Sequence, residues 1–108
     1  MWSASPIMSD KIDIVSTMGV RFARSATRHR VSKDSIRYVL ANYSVQFEES
    51  PPAGKPGARS VRLVYLGDDA KGQALEVMAI NLSDGDLLVI HAMALRDKYR
   101  QQYQEAKR

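Results

Sequence analysis

The chain has 108 residues, 44% of them hydrophobic, no cysteine and a net charge of +4; that is enough for one core and excludes a disulfide framework or a thiolate metal centre. With only His29 and His91 as imidazoles, far apart in the chain, no metal is expected, and no motif calls for a cofactor. No window approaches the roughly 18 apolar residues a bilayer crossing needs, and the N-terminus lacks a basic region followed by an apolar one, so the expectation is a cytoplasmic protein with no membrane partner.

Residues 1–16 carry few structural signals and read as a flexible N-terminal arm, leaving residues 17–108 as a single domain. From about Thr17, Met18, Phe22 and Ala26 fall four apart while Arg21, Arg24 and Arg28 recur on another face, which predicts a first amphipathic helix with a basic stripe. A second helix is marked by Ser32 as N-cap, Asp34 at the positive end of the dipole, Val31 placed to staple onto Ile36, and the repeat Ile36, Val39, Leu40, Tyr43. "SPPAGKPGAR" at 50–59 is a loop, and "SVQFE" before it is at best a short strand.

"SVRLVYL", "ALEVMAINL" and "DLLVIHA" are three apolar, β-branched runs separated by turn-forming "GDDAKGQ" and "SDGD", which predicts an antiparallel meander. The middle run is apolar on nearly every residue, as in a central strand covered on both faces, with Glu76 the exception. A last helix is predicted from near Met93, with Leu95, Tyr99, Tyr103 and Ala106 on its packed stripe and Arg96, Arg100 and Lys107 on a neighbouring face. The expected fold class is thus α+β: two N-terminal helices, a three- or four-stranded antiparallel sheet, and one C-terminal helix.

Charge follows the elements. Between Arg21 and Arg37 six basic residues face Asp34 alone, a balance of +5; the middle of the chain is −3, and the stretch from Arg96 to Arg108 returns to +3. Positive charge gathered at both ends of the domain suits a polyanion such as nucleic acid, or an acidic protein.

Read as "TRHRVSKDSI", "VRLVYLGDDAKGQALEV" and "VIHAMALRDKYRQQY", residues 21–103 resemble BrnT-type toxins of bacterial toxin–antitoxin pairs and their actinobacterial relatives. The resemblance rests on Arg28, His29, Val31 and Ser32 opening a helix, Arg62 opening a strand that ends at Gly67, a second glycine at Gly72, and Ile90 and Ala92 before a basic helix with a late Tyr103. Three positions depart from it: Arg30 stands where a glycine commonly follows the histidine, the loop at 50–59 lacks the usual His and Glu, and Met93 replaces an arginine, with Arg96 about one turn later. The resemblance implies a RelE-like fold and a toxin that acts as a ribonuclease and inhibits translation. Its partners would be RNA, as mRNA free or on the ribosome, and a cognate antitoxin protein.

Such toxins are understood to cleave RNA by attack of the ribose 2′-hydroxyl, which needs a base, charge stabilisation at the phosphate and a proton for the leaving oxygen. Arg62, at the position of the family's strand arginine, is the first candidate for the phosphate; a salt bridge to Glu76 is its structural alternative. His91 carries an imidazole, a side-chain type suited to moving a proton, although a half-buried structural histidine fits its strand-end position. Glu76 is a candidate base, or else the partner of an arginine. Arg96, Lys98, Arg100 and Arg28 are candidates for RNA phosphates, and Tyr65 for stacking on a base. Tyr99 and Tyr103 read as packing residues, Asp97 as an ion-pair partner of Arg100, and His29 as a capping or packing residue. The competing reading is a non-catalytic module of the same fold that binds nucleic acid or protein.

Overall fold

A computed structural model of the chain describes residues 19–50 and 61–107. In order these form β1 (Val20–Phe22), a 3-10 turn (Arg24–Thr27), α1 (Lys33–Asn42), β2 (Val45–Glu49), β3 (Arg62–Asp68), β4 (Ala74–Asn81), β5 (Leu87–Ala94), a second 3-10 turn (Asp97–Tyr99) and α2 (Arg100–Ala106). The five strands make one sheet in the order β1-β5-β4-β3-β2. The pairs among β2 to β5 are antiparallel, and β1 joins β5 in parallel.

The expected fold class is corrected on two counts: the sheet is five-stranded and mixed, and among the described residues a single α-helix, lying between β1 and β2, stands where two N-terminal helices were expected. The reason lies in residues 18–22, where Val20 lies between Met18 and Phe22, so the apolar spacing also has a period of two. Val20 and Phe22 turn inward and Arg21 outward. The backbone is taken up by the edge of β5, with Leu87 N–H donating to the Gly19 carbonyl and Ala23 N–H to the Val89 carbonyl, both at 2.9 Å. Arg21, outside the sheet, pairs with Asp84 at 2.6 Å and Asp86 at 2.9 Å, so the basic stripe expected of a helix does not form. The arm assigned to residues 1–16 and nearly all of the loop at 50–59 lie outside the described residues.

Helix α1 follows its signals. Ser32 Oγ accepts from Ser35 N–H at 3.0 Å, and Ile36, Val39 and Leu40 are fully buried. They pack with Tyr65, Leu75, Val77, Ala79, Val89 and Ala92 on one face of the sheet, where Val31 also lies against the cluster. On the other face Val64, Leu66, Met78 and Tyr99 form a second cluster, with Phe47, Ile90, Leu95 and Tyr103 against it. The sheet is therefore a middle layer, and β4 is its central strand as its apolar run predicted.

The last helix starts later than expected. β5 runs to Ala94, Leu95 N–H still donates to the Ala74 carbonyl at 3.0 Å, and Arg96 is extended at φ −91° and ψ 159°. A strand continuing its ladder cannot begin a helix at Met93; the helical turns wait until Asp97.

At Gly67 the chain leaving α1 crosses β3 closely. A Cβ there would lie 3.0 Å from Tyr43 Cα and 3.3 Å from Ser44 N, in backbone whose Ser44 N–H donates to the Leu66 carbonyl at 2.8 Å. Gly67→Ala is therefore expected to destabilise by about 1–3 kcal/mol, read as a lower urea midpoint at unchanged slope.

Candidate functional site

The site grows from a carboxylate in the wrong place for a strand core. Glu76 is fully buried in β4, on the face it shares with Met78 by strand alternation. An unpaired buried carboxylate costs several kcal/mol, and this one meets four donor groups from two residues. Arg96 N–H reaches Oε1 at 2.9 Å, Arg96 Nε and Nη2 reach Oε2 at 2.8 and 2.6 Å, and His91 Nε2 lies 2.9 Å from Oε2. Burial pushes the Glu76 carboxyl up, but the hydrogen bonds from His91 and Arg96, with the Arg96 charge, outweigh it and bring the pKa down to about 2. Glu76 is thus a fixed anion that anchors its neighbours and a poor proton acceptor at neutral pH.

His91 reaches Glu76 because of a β-bulge. His91 pairs with Met78 and Val89 with Ala79, which leaves Ile90 as an extra residue. Strict alternation from Leu87 and Val89, both packed on the α1 side, would point His91 that way as well. The extra residue reverses the alternation, so Ile90 and His91 both face away from α1 while Ala92 returns to it. Because Nε2 faces a carboxylate it carries the hydrogen, and in the neutral ring the lone pair falls on Nδ1. His91 retains 21% exposure, so the site is open to solvent.

β1 covers β5 only from Leu87 to Val89. Beyond it the edge is crossed by the first 3-10 turn, where Ser25 Oγ donates to the Ile90 carbonyl at 2.5 Å. The turn delivers His29 to His91, ring edge to ring face, with centroids 5.7 Å apart. Arg30 follows at φ 66°, a left-handed conformation that glycine adopts without strain and other residues rarely do. A cavity of ≈ 270 Å³ opens beside this segment, lined by His29, Arg30, Ser32, Ser35, Lys71 and Asp69 among others.

Of the residues singled out from sequence, Glu76, His91 and Arg96 come together. Arg62 is not brought to them: it stands opposite Glu49 in the β2–β3 register, four positions along β3 from the Leu66 that faces Glu76, roughly 13 Å at the rise of a strand. The alternative of an Arg62–Glu76 salt bridge is corrected with it, since Arg96 holds Glu76. Tyr65 is 6% exposed on the α1 side and edge-on to Tyr43 at 5.2 Å, so it presents no open face to a base. Arg100 pairs with Asp97 at 3.0 Å, as the i, i+3 spacing predicted. Arg28 and Lys98 are exposed and make no ion pair among the described residues.

Tyr99 supports the cluster from below. It is buried, donates from its hydroxyl to Glu49 at 2.9 Å, and has Lys98 Nζ 4.9 Å and the Arg96 guanidinium 5.8 Å from its ring centre. Burial and the Glu49 hydrogen bond push its phenol far above the usual range. His29, read from sequence as a capping or packing residue, packs on the His91 ring, a partner that sequence reasoning did not name, and the contact of Glu49 with Tyr99 was missed. For His29 the only signal was its place in the Arg-His-x-Val-Ser motif, and for Glu49 nothing marked a contact 50 residues away.

Among the described residues no group of three or more His, Asp or Glu side chains converges to hold a metal ion, and no helix is long and apolar enough to cross a membrane. No family model matches the chain, and searches of curated proteins and of solved structures find no significant match.

Because the Glu76 carboxyl is held below its unfolded value of 4.5, its contribution to stability is complete above that value and is lost as pH falls through about 2. Glu76→Gln should cost roughly 2–3 kcal/mol at pH 7. In urea titrations the gap to the wild type should narrow steadily between those two pH values; a gap independent of pH would deny the anion its structural role.

Proposed function

We propose that this chain is the toxin of a toxin–antitoxin pair, an endoribonuclease that inhibits translation, with His91, Glu76 and Arg96 as its reacting centre. One observation carries the reading: a solvent-reachable imidazole, locked by a buried anion, stands beside an arginine where cationic segments from both ends of the domain meet. The Arg-His-x-Val-Ser and Ile-x-Ala resemblances to BrnT-type toxins support it from the sequence, and both contribute residues to this place. Arg30, with the backbone dihedral of a glycine, stands where that family commonly has one.

In this mechanism His91 Nδ1 accepts the proton of the ribose 2′-hydroxyl as that oxygen attacks phosphorus. Glu76 holds the ring in the required tautomer and stabilises the imidazolium that results. Arg96 uses Nε and one edge of Nη2 on Glu76; its remaining guanidinium hydrogens, on a side chain 40% exposed, are available to the phosphate oxygens. Arg28, Arg30 and Lys98 add positive potential along the strand's path, and RNA is the partner this chemistry selects, through its 2′-hydroxyl.

A second reading, a non-catalytic binding module, has one observation in its favour. Every buried side-chain polar atom among the described residues has a partner within the protein, so the Glu76 cluster also satisfies itself without a ligand. Inducible expression in a bacterial host, with growth followed and total RNA examined on a gel, separates the two. The toxin reading expects growth arrest with RNA cleavage, and a loss of about 100-fold or more in cleavage for His91→Ala. Arg62→Ala should leave cleavage within a few-fold of wild type, given its place four positions along β3 from the residue that faces Glu76. Growth without arrest and intact RNA for the wild-type chain would leave the module.

A further inference from the structure

We infer that His29 is the second proton-transfer residue of this centre, the one that protonates the leaving oxygen, and that the scissile strand continues past it into the cavity between Arg30 and Lys71. The inference rests on the ribonuclease reading and adds to it a named acid and a direction for the substrate.

Three observations converge on His29. Its ring meets His91 edge to face at 5.7 Å between centroids, so that a phosphodiester lying along the open side of the pair would be within reach of both imidazoles. Its ring is exposed, whereas His91 is fixed through Nε2 and offers only one nitrogen to a ligand. The segment carrying it is held in place rather than trailing: Ser25 is bonded to the Ile90 carbonyl, Ala26 is fully buried, and Arg30 adopts its left-handed backbone to connect the turn to α1. A strained backbone at a position that presents a titratable group to a centre is a recurrent arrangement in functional sites.

The ≈ 270 Å³ cavity lies on the side of His29 where the chain enters α1 and is lined by Arg30, Lys71 and the hydroxyls of Ser32 and Ser35. Two cations and two hydroxyls suit the phosphate of the nucleotide after the cut, and the Asp69 carboxylate that also lines the cavity is engaged by the Lys71 and Gln73 backbone N–H groups. The charged and titratable groups around His29 are His91 of β5 against its ring, Arg30, Asp69 and Lys71 lining the same cavity, and Arg28 next to it in the chain.

The step balances within the RNA and the two rings. The 2′-oxygen forms a bond to phosphorus and loses its proton to His91 Nδ1; the bond from phosphorus to the 5′-oxygen breaks, and that oxygen takes a proton from the His29 imidazolium. The products are a 2′,3′-cyclic phosphate and a 5′-hydroxyl. No metal, water or oxidant is consumed, and the two histidines leave the step with protonation states exchanged.

The test uses the full chain and an oligoribonucleotide containing a linkage that the wild type cuts, made with either oxygen or sulfur as the 5′-bridging atom. Sulfur leaves without needing a proton. His29→Ala and His29→Gln are expected to slow cleavage of the oxygen substrate by about 100-fold or more and to recover to within about 10-fold of wild type on the sulfur substrate. His91→Ala should be slow on both. The rate profile of wild type with pH should be bell-shaped, and His29→Ala should lose its alkaline limb. His29 variants that cut the oxygen substrate like wild type, or are equally impaired on both substrates, overturn the role of His29 and leave the ribonuclease reading standing. If the wild-type chain cuts neither substrate, with or without ribosomes, the ribonuclease reading falls and this inference with it.

Discussion

One buried carboxylate organises the business end of this molecule. Glu76 sits in the central strand with no exposed surface, where an unpaired charge would cost more than most side chains contribute to stability. Its neutralisation requires the Arg96 backbone to be extended and its guanidinium to turn inward. That requirement postpones the final helix, places Tyr99 under the sheet to bond Glu49, and sets where α2 can lie. The same anion fixes His91. The strand core and the His91 ring are therefore joined at one atom, since Oε2 receives both the arginine and the imidazole.

Irregularity in β5 is what makes the site accessible. A regular strand would aim His91 into the layer under α1, where it would be a buried histidine with no carboxylate to hold it. The bulge at Ile90 turns it to the Glu76 side, and the shortness of β1 leaves that part of the edge to a 3-10 turn carrying His29. Bulges recur beside functional sites because one extra residue redirects a side chain without dismantling the ladder. Here it also draws in two stretches of chain separated by more than 60 residues.

Cations divide into two groups. Arg21, Arg100 and Lys107 are committed to Asp84 and Asp86, Asp97, and Asp68, and so hold turns and helix in place. Arg28, Arg30 and Lys98 make no ion pair among the described residues and flank His29 and Arg96 in the chain. Net charge alone would not separate these groups. Only the cations of the second group are left with charge that no carboxylate among the described residues offsets.

Local order was legible wherever a signal was local. Ser32 and the repeat at Ile36, Val39 and Leu40 mark α1, and glycine-bearing turns between β-branched runs mark the β3 to β5 meander, because capping and side-chain periodicity act over a few residues. The same reasoning misassigned residues 19–28, because spacings of two and of four both fit Met18, Phe22 and Ala26, and it could not show that Arg62 lies opposite Glu49 and Tyr65 under α1, away from the Glu76 cluster. Glu76, His91 and Arg96 were each visible as candidates; that they form a unit was not. Their union depends on strand register, on one unpaired residue in β5 and on a parallel partner for that strand, and each of these balances backbone hydrogen bonds and burial between segments far apart in the chain, a balance that exists only once the chain is folded.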